Sequence, residues 1–100
     1  MVRHVILWKL KDMPAEEAEA VKAEIKAGLE GLAGQIPGLT DIHVYTKALP
    51  SSANADLMLD TTFVDEAALK GYAVHPAHVA VANGKVRPFT AVRTCLDFEV

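Results

Sequence analysis

The sequence predicts an α+β fold, a four-stranded antiparallel sheet with helices on one face, and three observations predict it. Segments with strand-like apolar patterning alternate with segments of helical periodicity, in the order strand, helix, strand, strand, helix, strand. Breakers separate them, at Asp12-Met13-Pro14, Pro37-Gly38, Pro50 to Asn54 and Pro76. The chain has 100 residues, enough for one domain and too few for two. Residues 1–100 therefore read as a single domain, with no repeat, low-complexity tract or linker.

The first strand is expected over Val2 to Leu10. One parity carries His4, Ile6, Trp8 and Leu10, the other Arg3, Val5, Leu7 and Lys9, so apolar residues point both ways. Pro14 suits a first helical position, and Glu16, Glu17 and Glu19 complement the positive end of a helix dipole. Ala18, Val21, Ile25, Leu29, Leu32 and Ile36 then recur at three- and four-residue steps and form one apolar stripe. Gly34 and Pro37-Gly38 end that helix. Leu39 to Leu49 reads as the second strand and Asp56 to Phe63 as the third. Asp65 is placed to cap a second helix centred on Ala67 to Ala73, which Pro76 must break. A short helical turn from Pro76 to Ala82 is expected to end at Asn83-Gly84, and Phe89 to Phe98 makes the last strand.

Two β-α-β halves in this order give a ferredoxin-like layer, with both helices on one face of the sheet. The apolar residues on the second face of strand one then need a cover. A second copy of the same sheet supplies it, which predicts a homodimer joined through the sheet faces, a dimeric α/β barrel. Composition agrees: 51% of the residues are apolar, more than a small core hides easily.

The net charge of −3, with acids and bases interspersed, leaves no basic stripe to neutralise phosphates, so no nucleic-acid partner is expected. No apolar run approaches the ~20 residues a membrane helix needs, and no small-residue cleavage site follows the first segment, so a cytoplasmic protein with no membrane association is expected. Cys95 is the only cysteine; set among Val92, Leu96 and Phe98, it reads as a buried, inert thiol.

Chemistry is expected around Tyr72, His75 and His78. Histidine changes charge near neutral pH and can take or give a proton at little cost. A tyrosine hydroxyl can donate to a developing oxyanion or hold a carbonyl. Pro76 directs His78 away from the spiral of the second helix. His4 shares its parity with Ile6 and Trp8; if that side faces the helices, His4 and His78 meet across an apolar pocket suited to deprotonation beside a ketone. Each residue also has a bland reading. His75 reads primarily as a cap on backbone carbonyls, Tyr72 serves equally as core packing, and His4 and His78 serve as satisfied structural histidines. His43, beside Asp41 and Tyr45, reads as surface. His75 and His78 are too few for a zinc site, and only Asp60 or His4 brought near by folding could extend the set, so no metal is expected. Phosphate-binding glycine loops and a nucleophile–base pair are absent, and no cofactor is expected.

The segment Tyr72-Ala73-Val74-His75-Pro76-Ala77-His78-Val79 is similar to the Tyr-x-x-His-Pro-x-His signature of the stress-responsive A/B barrel (Dabb) family. The opening Arg3 to Lys11, Ile36-Pro37-Gly38 and Phe63-Val64-Asp65 strengthen the resemblance, which covers nearly the whole chain. The resemblance implies a dimeric α/β barrel and a link to stress response. In members that act as polyketide cyclases it implies a base at the place of His78, assisted at the places of Tyr72 and His4. The remaining residues expected to line the cavity are His75, Ile6, Trp8, Leu29 and Leu57, with Trp8 reading more as core than as a surface on which ligand stacks. Leu29 stands where such members offer a pocket tyrosine, and Leu57 where a further histidine could line the cavity, so the lining here is more apolar. The function expected is binding of a hydrophobic oxygenated small molecule, with cyclase- or lyase-like chemistry. A non-catalytic stress-response dimer is the alternative, and a cofactor-free monooxygenase, as in a neighbouring branch, the third.

Overall fold

Alternation in the first strand decides the layout of the domain. In a computed structural model, which describes residues Met1–Val100, Val2–Leu10 forms β1. Its Val2, His4, Ile6 and Trp8 are buried beneath the helices, and Leu7 points to the other side, exposed. The remaining strands are β2 (Leu39–Tyr45), β3 (Leu57–Phe63) and β4 (Thr90–Glu99), in the order β2-β3-β1-β4, all neighbours antiparallel. This is the ferredoxin-like α+β layer. It carries three helices, α1 (Ala15–Glu30), α2 (Glu66–Val74) and α3 (Pro76–Val81).

α1 starts one residue later than Pro14 itself. Pro14 has extended ψ and serves as the N-cap, its carbonyl accepting from the Ala18 amide at 2.9 Å. The apolar stripe outlasts the helix. Regular α-helix ends at Glu30, and Leu32 and Ile36 reach the core from the turns that follow. The end of α1 is also tied to the sheet edge. Glu30 accepts from the Val44 amide at 2.9 Å, and Lys26 donates to the Val44 carbonyl at 2.8 Å. Both outward backbone groups of Val44, on an edge strand, are thereby occupied. β2 stops at Tyr45, four residues before the sequence expectation, where its pairing with β3 ends at Met58.

Gly38 closes the α1–β2 connection at φ +79°. A Cβ there would lie 2.5 Å from Ala68 Cβ, and its carbonyl accepts from the Val64 amide at 2.9 Å. Asp65 caps α2 as expected, accepting from the Ala68 amide at 2.8 Å. α2 ends at His75, which is extended (ψ 131°) because Pro76 follows it. Asn83-Gly84 does not end the next helical stretch. It sits inside a π-helical turn, Ala82–Val86, in which the Arg87 amide donates to the Ala82 carbonyl, and a 3₁₀ turn, Arg87–Phe89, leads into β4. The core lies between helices and sheet, centred on Ile25, Leu29, Val44, Leu59, Phe63 and Tyr72.

Candidate functional site

Tyr72 is the last buried residue of α2 before the Pro76 break, and its ring lies against β1 and the start of α3. Its centroid is 5.1 Å from Phe63, 4.1 Å from His78 and 6.0 Å from His4, the last approach edge-on. The phenol oxygen is buried and has no hydrogen-bond partner. Tyr72 borders a cavity of about 120 Å³ bounded by β1, β4, the helices and the π-turn. Ile6, Trp8, Leu29, Leu69 and Val86 form most of its apolar wall, and His4, His78, Thr90, Arg87 and Arg93 supply the polar groups.

The hydrogen bonds assign the tautomers. His78 Nδ1 lies 3.3 Å from the Ala73 carbonyl, which can only accept, so Nδ1 carries the proton and Nε2 keeps its lone pair. His4 Nδ1 meets the Asp97 carboxylate and likewise donates to it. The His4 backbone is itself held, its carbonyl accepting from Thr61 Oγ1 at 2.7 Å in the core. Burial lowers the pKa of His78, the Ala73 carbonyl opposes that shift, and the surrounding His4, Arg87 and Arg93 add to it. At neutral pH His78 is therefore a free base. Burial pushes the Tyr72 phenol far above its ordinary range, so it stays a donor. A neutral imidazole and a protonated phenol face one cavity, an arrangement able to remove a proton from carbon and hold the resulting oxyanion.

The fold has known relatives. The Stress responsive A/B Barrel Domain family, Dabb, matches residues 2–100. The chain belongs to that family. Among solved structures, a dimeric ferredoxin-like protein from Bacteroides fragilis is 31% identical with a TM-score of 0.90, covering 99% of this chain and 95% of that one. A dimeric ferredoxin-like protein from Jannaschia is 28% identical with a TM-score of 0.79, over 99% and 98% of the two chains. A hydroxynitrile lyase from Passiflora edulis has the same fold at 16% identity and a TM-score of 0.71, over 97% and 90%. No curated protein matches this chain.

The Dabb signature of this chain divides in two. The structure brings His78, Tyr72 and His4 together with Ile6, Trp8 and Leu29 around one cavity. It does not bring His75 or Leu57 there. His75 turns away to cap α3, and it does so as an acceptor, Nδ1 receiving the Ala77 amide at 3.1 Å, where the sequence suggested donation to carbonyls. Leu57 is buried and borders a separate hollow beside the β2–β3 loop, at the far end of β3 from Thr61. Asp60 cannot extend a metal set with His78, because it lies on the opposite face of the sheet, paired with Arg3.

Sequence reasoning missed Arg87, Arg93 and Asp97. Register against β1 was the available signal: Arg93 pairs with Trp8, Cys95 with Ile6 and Asp97 with His4, so all three share the helix side of the sheet. Cys95 is on that side but exposed, contrary to the buried thiol expected, because no helix lies over β4 there. Partial desolvation of its sulfur and the neighbouring Asp97 raise its pKa, which favours the protonated thiol. His4, Cys95 and Asp97 are the one group of three whose donor atoms could hold a metal ion, all within 4.8 Å of one another. Two of the three are exposed, and Asp97 is occupied by His4.

Proposed function

We propose that this Dabb domain works as a homodimer closed through the open sheet faces. In this reading each protomer binds a hydrophobic oxygenated small molecule in the Tyr72–His78 cavity and carries out cyclase- or lyase-like proton chemistry on it. His78 Nε2 takes a proton from the carbon beside a ketone. Tyr72 Oη donates to the enolate oxygen that forms, and His4, fixed by Asp97, polarises the same region. The bond-forming or bond-breaking step follows, and His78 returns its proton to the product.

One observation carries the reading. The Tyr72 hydroxyl is buried beside His78 without a partner. A buried unpaired polar group costs roughly 1–3 kcal/mol, and an oxygenated ligand would relieve that cost. The test is a thermal-shift screen of wild type, Tyr72→Phe and His78→Ala against aromatic and poly-β-ketone compounds. Tyr72→Phe should match or exceed the wild-type melting temperature without ligand and lose most of the ligand-induced shift. His78→Ala should abolish turnover of any compound that binds.

A second reading, a non-catalytic dimer, draws on the bond from His78 to the Ala73 carbonyl, which joins the end of α2 to α3. It predicts that no ligand shifts wild type and that His78→Ala melts lower, by the equivalent of about 1–3 kcal/mol. The same screen separates the two.

A further inference from the structure

The chain is acidic, with 13 Asp and Glu against 10 Lys and Arg, and holds only three arginines, Arg3, Arg87 and Arg93. Arg3 is paired with Asp60 on the open sheet face. The other two both line the Tyr72–His78 cavity, and neither has a carboxylate within ion-pair distance. No aspartate or glutamate lines the cavity at all; its polar groups are two guanidiniums, two imidazoles, a phenol and a threonine hydroxyl. Asp97, two strand positions on from Cys95 and four from Arg93, feels the Arg93 charge but is engaged by His4. An acidic protein has thus left a hollow with two arginines and no carboxylate around an orphaned phenol.

We propose that the ligand of this cavity is a hydrophobic carboxylate, its anionic end held by Arg93 with Arg87 beside it and its carbonyl or hydroxyl oxygen at Tyr72 Oη. The inference rests on the reading of this cavity as a ligand site and adds the class of ligand. Arg93 stands opposite Trp8 on β4, and its charge reaches both Tyr72 and His78. Arg87 is steadied by donating to Asn83 Oδ1. A neutral ligand would cover Arg93 without giving it an anionic partner, which is unfavourable; a carboxylate meets the guanidinium fork with two parallel bonds. Phosphate fits less well. No lysine borders the cavity, no glycine-rich loop offers it a ring of amides, and nine of the fourteen lining residues are hydrophobic.

The experiment is calorimetric titration of wild type, Arg93→Gln and Arg87→Gln/Arg93→Gln with aryl and alkyl keto acids, benzoylpropionate among them, and with their methyl esters. Arg93 is exposed and unpaired, so Arg93→Gln should melt with wild type, which a thermal scan checks. The acid should bind wild type roughly 10- to 100-fold tighter than its ester, weaken as salt is raised, and lose that preference in the arginine variants. Acid and ester binding alike would overturn the carboxylate while leaving the cavity reading in place. An acid preference that survives in the double variant would overturn the arginine anchor. Failure of every acid and every ester to bind would overturn the cavity reading together with this inference.

Discussion

His78 and Tyr72 owe their chemistry to burial acting in opposite senses on a base and an acid. Burial disfavours charge, so the imidazole is held below its usual pKa of 6.5 and the phenol above its usual 10.0, and both stay neutral across the physiological range. The His78 shift fixes the sign of a pH dependence. The unfolded chain takes up a proton at His78 as pH falls past 6.5, whereas the folded protein resists until the lower, native value. Between those two values the unfolded state binds more protons, so the His78 contribution to stability is whole above 6.5 and is lost as pH falls through the window. A His78→Gln variant lacks that loss. The melting-temperature advantage of wild type over His78→Gln should therefore shrink, or reverse, between about pH 8 and about pH 5. A gap that stays constant over that range would show that His78 titrates as an ordinary exposed histidine.

Elements with a local chemical cause were legible in the sequence, and elements fixed by contacts from afar were not. Asp65 announces the start of α2 because a carboxylate before a helical run has one obvious use, and Pro76 announces its end because the residue before proline is pushed out of the helical region. The run from Pro76 to Phe89 was harder. Asn83-Gly84 looks like a stop, yet packing of Ala82 and Val86 into the core keeps the chain helical through a π-turn. That turn places Arg87 at the cavity. β4 concealed Arg93 and Asp97 in the same way, since only the register against β1 says which of its alternating residues share a side with His4. Gly38 marks a boundary that sequence did predict and shows what it is worth. Its positive φ strains any other residue, and a methyl group would strike Ala68 Cβ at 2.5 Å. Gly38→Ala should therefore destabilise the fold by more than ~1 kcal/mol, with α2 displaced from the α1–β2 turn. Chemical denaturation checks the magnitude; a wild-type midpoint would mean that α2 gives way at little cost.

At the scale of the whole molecule, the open face of the sheet is the feature a lone protomer does not explain. Leu96 is 63% exposed, Tyr45 53%, Val92 52% and Leu7 41%, all on the side away from the helices. Leu96 lies beside Val5 and Val92 beside Lys9, while Leu7 lies beside Met58 and Met58 beside Tyr45, so the patch runs across all four strands. A continuous apolar face of this kind is uncommon on a monomer, and a two-fold pairing covers it with its own copy. The apolar second parity of β1 already carried this information in the sequence, and the dimeric relatives agree with it. Arg3 and Asp60 pair on this face and neutralise each other there. Because Leu96 is exposed in the protomer, replacing it should leave the protomer fold intact while placing a charge where the proposed homodimer brings two sheets together. Leu96→Asp should convert a dimer to a monomer in light scattering behind size-exclusion chromatography, with an unchanged helical and strand signature in circular dichroism. Loss of that signature in the monomer would mean that the protomer does not stand without its partner. A Leu96→Asp protein that remains dimeric would move the interface off the sheet face altogether.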